Sequence, residues 1–467
     1  MTSETASETA LLDAVEGGIP QALADLGRLV RIPGIAWPSF DQEQLPRSAQ
    51  AIAELARGTG LFERVDIKRS AIPGTGELGQ PGILATRAAR NGRPTVMLYA
   101  HHDVQPPGDD ALWQTPPFEP TVRDGRLYGR GAADDKAGVM AHIAALRALR
   151  EVHGDDLDLG IVLFVEGEEE FGSRSFTQFL DDNADAMRSD VIIVADSGNW
   201  DSSTPGLTVS LRGNVKFHLT VRTLDHASHS GMFGGAVPDA MLATIKLLAT
   251  LWDDTGAVAV EGLATRDAET PEYTEQTLRE EAGLLPDVQP TGTGSILSRI
   301  WNKPSITITG IDHTPVAAAS NTLAPEITVV VSARVAPGQS ADEACRALQD
   351  HLSAHAPFGA ELSFSEIDCG NGFLVDTSGW AVAEMREALR DGYEHEVVDL
   401  GVGGSIPFVA DLVERNPGAQ ILVTGVEDPH SRAHSPNESL HLDTFRHAVR
   451  SEALLLARAS ARTVSEP

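Results

Sequence analysis

The 467-residue chain contains only two cysteines, Cys345 and Cys369. That excludes a disulfide framework and suits a reducing compartment. The chain also lacks any apolar run near the roughly 20 residues that a membrane-spanning helix requires. Its first residues, "MTSETASETALLDAVEGG", carry neither the basic stretch nor the apolar segment of a secretory signal. The expectation is a cytoplasmic protein with no membrane partner. Positive charge is the largest deficit, since 36 Lys and Arg against 67 Asp and Glu give a formal net charge of −31. Such a surface repels phosphate backbones, which excludes nucleic acid as a partner. Phosphate binding is disfavoured as well, because no P-loop motif is present. There are no internal repeats and no low-complexity tracts.

What the chain does have is length and an ordinary globular composition, 42% hydrophobic and 22% charged. A chain this long exceeds one typical core, so two domains are expected. Three apolar runs in the first 200 residues read as buried strands: "PTVMLYAHHD", "DLGIVLFVEGEEEFGS" and "SDVIIVADSG". Between the first two, Val139, Ile143, Leu146 and Leu149 recur at helical spacing. Buried strands alternating with helices predict an α/β domain with a mostly parallel sheet. From about residue 208 the pattern changes to alternation, with Val215, Phe217, Leu219 and Val221 on one face of "LTVSLRGNVKFHLTVRT". The order that follows is β-α-β-β-α-β, an α+β ferredoxin-like insert. Residues 255–300 are polar and loop-rich and receive no assignment. Near residue 374 the first texture returns. The division is therefore 1–207 and 371–467 for a split α/β domain and 208–370 for the inserted α+β domain.

Each of the three apolar runs ends in ionisable groups: His101 and Asp103, then Glu166 to Glu170, then Asp196. Asp134 and Asp135 in "GRGAADDKAG" and His434 in "HSRAHSPNE" add to the set. Taken singly, each has an ordinary explanation as a helix cap, a solvated turn or a structural histidine. Taken together, carboxylates gathered beyond the carboxyl ends of parallel strands repel one another unless cations compensate them. Mixed imidazole and carboxylate donors suit zinc, or manganese or cobalt, better than calcium or magnesium.

The motifs "YAHHDVQP", "GRGAADDKAG", "FVEGEEEFGS", "HSGMFGG" and "GGSIPF" together resemble the M20 metallopeptidases, and most of all their dipeptidase branch. The resemblance runs from "LVRIPGIAW" to "HSPNE". It implies an exopeptidase with two divalent ions per chain, in which 1–207 and 371–467 form the catalytic domain and 208–370 the inserted lid and dimerisation domain. His101 and Asp196 would complete one metal site and Glu170 and His434 the other, with Asp134 bridging both and a cis bond between Asp134 and Asp135. Asp103 would orient His101, and Glu169 would serve as general base. His229 would be a lid histidine that stabilises the oxyanion. Asn321, Arg334, Gly404 and Ser405 would bind substrate. His102 and His430 fall off the motif and read as flanking residues. Ala100, His102, Ala137, "ASHSG" and "VPDA" depart from the family pattern, which leaves the substrate's side chains open. The expected partners are a small peptide with a free carboxylate and a second copy of the chain. An N-acyl-amino-acid amidohydrolase of the same fold is the alternative activity, and a non-catalytic metal-binding member is the rival class; the intact Glu169 argues against the latter.

Overall fold

The protein is described by a computed structural model covering residues 3–463 except 267 and 404–406. Gly404 and Ser405 therefore lie outside the described residues. The chain divides into two compact units. One comprises Met1–Val209, Val375–Leu400 and Asp411–Pro467; the other comprises Ser210–Leu374 and Gly401–Ala410.

In the first unit, strands β1 (Arg64–Lys68), β2 (Gly82–Arg87), β3 (Thr95–His101), β4 (Gly160–Glu166) and β5 (Val191–Val194) lie in the order β1-β2-β4-β3-β5. The three apolar runs are the centre of this sheet. Every residue of β4 and β5 is buried, as are Val96 to His101 of β3. Strands buried on both faces have no use for alternation, which is why the runs are continuous. β3 pairs parallel to both β4 and β5, while β1 and β2 are antiparallel at the edge. Helix α1 (Ser3–Val30) packs on α2 (Lys136–His153), the helix expected from the spacing of Val139, Ile143, Leu146 and Leu149.

The second unit holds a four-stranded antiparallel sheet, formed by β6 (Gly213–Arg222), β7 (Ser305–Asp312), β8 (Glu326–Val335) and β9 (Glu361–Gly370) in the order β7-β8-β6-β9. Helices α3 (Ala240–Leu248) and α4 (Ala341–Ala354) cover it, giving the β-α-β-β-α-β order read from the sequence. Val215, Phe217, Leu219 and Val221 all face the core, with Val329, Val331, Leu247 and Leu348 against them. The alternating stretch is not one strand, however. It breaks at Arg212, between Gly206–Leu211 and β6. Residues 255–300 contain two short helices, Glu275–Ala282 and Ile296–Trp301, capped by the side chains of Thr274 and Ser295. The first is a polar helix that no apolar stripe announces and that its cap helps to hold, while the second buries Ile296 and Leu297.

The chain then returns to the first unit with α5 (Trp380–Tyr393), β10 (Gln420–Val423) and α6 (Leu442–Ala461). β10 pairs parallel to β5, with Gln420 opposite Val191. The parallel core is thus β4-β3-β5-β10, and its carboxyl ends all point the same way. Among the described residues, no helix is long and apolar enough to cross a membrane.

Candidate metal centre

The carboxyl ends of those four strands assemble the site. His101 is the last residue of β3 and stands opposite Glu166, the last residue of β4. Glu169 and Glu170 occupy the tight turn that follows β4. Asp196 lies two residues beyond β5, and His434 sits in the loop after β10. Asp134 precedes α2, close to the positive end of that helix, where carboxylates are favoured. The Asp134–Asp135 peptide is cis.

Two donor groups result, His101 with Asp134 and Asp196, and Asp134 with Glu170 and His434, the donor atoms of each lying within 4.8 Å of one another. Asp134 belongs to both. One of its oxygens is 3.1 Å from His101 Nε2 and the other 2.9 Å from His434 Nε2. His101 Nε2 is also 3.8 Å from Asp196, and His434 Nε2 is 3.1 Å from Glu170. Glu169 is a member of neither group.

Around the donors lies a second layer of hydrogen bonds. His101 Nδ1 is 3.1 Å from the Asp103 carbonyl oxygen and 3.4 Å from its carboxylate. That carboxylate has another task, accepting hydrogen bonds from the backbone N–H groups of Glu169 and Glu170, each at 3.1 Å. Asp103 therefore fixes the turn that carries both glutamates. The Asp135 carboxylate accepts from the His101 backbone N–H at 3.1 Å. This closeness requires Gly138, where an added Cβ would stand 2.1 Å from Asp135 Oδ1. Three residues with no assigned role complete the frame. Glu438 accepts from the backbone N–H groups of Gly131, Ala133 and Asp134 at 3.0, 2.9 and 3.1 Å and pairs with buried Arg130 at 2.6 Å. Gln105 holds both oxygens of Glu170. Glu438 and Gln105 stand inside the quoted motifs "HSPNE" and "HHDVQP" and Arg130 inside "GRGAADD", but their types carry no distinctive signal.

The electrostatics show what the cluster needs. Burial pushes Glu169 well above the usual carboxylate range, opposed by His101 and reinforced by Asp196 and Glu170. Burial lifts Asp196 to about 7, against the pull of His101 and with Asp134 adding to the rise. Hydrogen bonds to Asp134 and Glu170 raise His434 to about 11. Burial works against a charged His101, but Asp103 and Asp134 outweigh it and hold the ring well above its ordinary range. The carboxylates thus draw protons onto two imidazoles, which take the part that two cations would play. A donor set of imidazole nitrogens and carboxylate oxygens fits divalent transition metals.

The remaining sequence candidates are distributed as follows. His102 is fully buried and donates from Nε2 to the Pro81 carbonyl at 2.8 Å; burial lowers it to about 4. It takes no part in either donor group, and neither does the exposed His430. In the second unit, His229 is exposed and its Nδ1 accepts from the Gly231 backbone N–H at 3.0 Å. Asn321 is brought beside it, its carbonyl accepting from Ser230 N–H at 3.0 Å. Arg334 lies near the end of β8, opposite Asn214 of β6 and Ser305 of β7.

A carboxylate shared between two such donor groups, with a half-buried glutamate beside them, defines a metal-dependent hydrolase. The chain belongs to peptidase family M20/M25/M40, whose pattern matches residues 97–458. It is 36% identical over 380 residues to a cysteinylglycine-S-conjugate dipeptidase of Corynebacterium striatum, across 80% of this chain and 83% of that one. Identity to the human β-Ala-His dipeptidase is 30% over 431 residues, covering 86% and 82% of the two chains. The fold is that of the dipeptidase Dug1p from Saccharomyces cerevisiae, with a TM-score of 0.78, 22% identity and coverage of 97% and 99%. Human carnosine dipeptidase 1 is similar at a TM-score of 0.77, with 22% identity and the same coverage.

Proposed function

We propose that this protein is a dipeptidase that hydrolyses the peptide bond of dipeptides, or of similarly small peptides with a free C-terminal carboxylate, using two divalent ions. The observation that carries the reading is the position of Asp134 in both donor groups while half-buried Glu169, beside them, belongs to neither. His101, Asp134 and Asp196 would hold one ion, and Asp134, Glu170 and His434 the other. Zinc suits these donors best, with manganese or cobalt as alternatives. Paired ions would supply Lewis acidity and would lower the pKa of a bound water from about 15.7 toward 7.

The chain's own residues then do the following. Glu169 takes the proton of that water as it attacks the amide carbonyl, and later delivers it to the leaving amine. A residue held above the usual carboxylate range when uncompensated is well matched to that exchange. Asp103 keeps the Glu169–Glu170 turn in place while the ions exert their pull. By resemblance, His229 is the oxyanion donor, and Asn321, Arg334, Gly404 and Ser405 grip the substrate, Arg334 through a bidentate contact with its carboxylate. Support for peptides comes from relatives at 36% and 30% identity that are named as dipeptidases. A cytoplasmic location belongs to the same reading, with Cys345 and Cys369 as free thiols.

The test is hydrolysis of a dipeptide library by protein stripped with chelator and reloaded with zinc, manganese or cobalt, each dipeptide run beside its N-acetyl analogue. Stripping should abolish turnover and reloading restore it, with the dipeptides preferred. Full activity in stripped protein would sink the metal reading. Preference for the N-acetyl analogues would make the enzyme a deacylase.

A further inference from the structure

A second concave feature in the first unit reverses the sign of the surface as a whole. A cavity of about 260 Å³ is lined by Arg123, Arg126, Arg432, His430, Tyr128 and Ser439, among others. None of its lining residues belongs to either metal-donor group. In a chain with 67 acidic and 36 basic residues, three guanidiniums and an imidazole around one hollow require an explanation. Guanidiniums gathered around one hollow repel one another, and neighbouring carboxylates or a bound anion offset that repulsion.

The carboxylates account for only part of it. Arg126 is fully engaged, bidentate on Asp428 at 3.2 and 2.8 Å and donating from Nε to Ser439 Oγ at 2.8 Å. Asp428 is buried and is thereby spent on Arg126. Arg123 Cζ stands over the Tyr128 ring, 4.4 Å from its centroid, with only a 3.6 Å approach to the exposed carboxylate of Asp124. A cation held over an aromatic face in this way keeps N–H groups with which to donate. Among the described residues, the side chains of Arg432 and His430 make no hydrogen bond or ion pair. The wall they stand on is nonetheless held, since Asn437 accepts from Gln114 N–H at 2.7 Å and donates to the Leu112 carbonyl at 2.9 Å.

We propose that this hollow is an anion site for a phosphate group, either inorganic phosphate or the phosphate of a small monoester, separate from the residues that would hold the metal ions. Arg123, Arg432 and His430 supply the donors, and forked guanidinium edges match phosphate oxygens in geometry as well as charge. The cavity exceeds one phosphate in volume, which leaves room for the organic part of a monoester. The net charge of −31 disfavours long polyanions, whose charges reach the acidic surface around the site, and the missing P-loop disfavours a backbone cradle for nucleotide phosphates, but neither opposes a compact dianion held by guanidiniums.

The experiment is calorimetric titration of the metal-loaded protein at fixed ionic strength with inorganic phosphate and with glycerol 2-phosphate, using chloride as the blank. The protein should bind one anion per chain at a site that survives removal of the metals and the substitution Glu169→Gln. Arg123→Ala with Arg432→Ala should weaken that binding at least about tenfold, the scale of one lost charged contact, while Arg432→Lys should retain part of it. Metal content equal to wild type in these variants shows that they fold. Tighter binding of the monoester assigns the site to a phosphorylated small molecule; equal or weaker binding assigns it to free phosphate. No binding, binding that disappears with the metals, or binding untouched by the arginine substitutions overturns the proposal.

Discussion

Gln105 grips Glu170 twice: its side-chain amide donates to one carboxylate oxygen at 2.6 Å and its backbone N–H to the other at 3.2 Å. A carboxylate that also stands 3.1 Å from His434 Nε2 is thus aimed before any ion arrives. Residues that orient ligands in this way typically contribute about 10–100-fold to metal affinity. Gln105→Leu should lower affinity for the second ion by that factor while leaving the first in place, as read by competition against a chromophoric chelator. Equal loss of both ions, or of neither, would contradict the assignment of Glu170 to one site only.

The adjacent glutamates should separate cleanly on mutation. Glu169→Gln keeps the size and hydrogen-bonding shape of the side chain but cannot take a proton. It should retain both ions and lose at least about two orders of magnitude in turnover. Glu170→Ala should instead release one ion. If metal analysis showed Glu169→Gln depleted and Glu170→Ala full, the two roles would have to be exchanged.

A pH effect follows from a buried pair away from the donors. His142 Nδ1 is 2.8 Å from Glu452 and Nε2 is 3.0 Å from the Tyr99 carbonyl, so both nitrogens face acceptors and only the imidazolium satisfies both. Burial opposes that charge, but Glu452 overcomes it and raises the ring above its ordinary value. Protonation therefore favours the folded state. This stabilisation is complete below about pH 6.5, the value in an unfolded chain, and is lost as pH rises through the folded-state midpoint. An NMR titration of the His142 ring should place its midpoint above about 6.5, and Glu452→Gln should move it down. A midpoint unchanged by Glu452→Gln would refute the account.

The sequence announced the metal centre through a conflict, apolar runs ending in His101, Glu166 to Glu170 and Asp196, which a buried parallel sheet must resolve at its carboxyl edge. It separated His101 from His102 only by motif, although the physical reason is simple. Successive residues leaving a strand point to opposite sides, which aims one ring at Asp134 and the other at the Pro81 carbonyl. The supporting frame was much harder to read. Glu438 matters because three backbone N–H groups of another loop, more than 300 positions away in the chain, converge on it. Nothing in its own neighbours encodes that meeting. Residues 255–300 were obscure for a local reason, since Glu275–Ala282 is a capped polar helix with no buried residue and Ile296–Trp301 is too short to show an apolar period.

The last prediction concerns the lid. α3 buries Ala240, Ala243 and Leu247 but leaves Leu242 and Ile245 46% and 58% exposed, one turn apart. Met232 and Phe233, just after His229, are 74% and 46% exposed. Apolar side chains grouped on one small unit suit a two-fold contact, the commonest soluble assembly. We infer a homodimer through the lid, in which His229 of one subunit serves the partner's metal centre. Two inactive variants, His229→Ala and Glu169→Gln, provide the test. If His229 acts across the interface, a mixed dimer collects both defects in one active site and leaves the other intact. Co-refolded mixtures should then recover up to about a quarter of wild-type activity, since random pairing makes half the dimers mixed and each has one good site. Sedimentation should show the dimer, and charge replacement at Leu242 and Ile245 should weaken it. A monomeric wild type, or no recovery once subunit exchange is verified, would confine His229 to its own subunit.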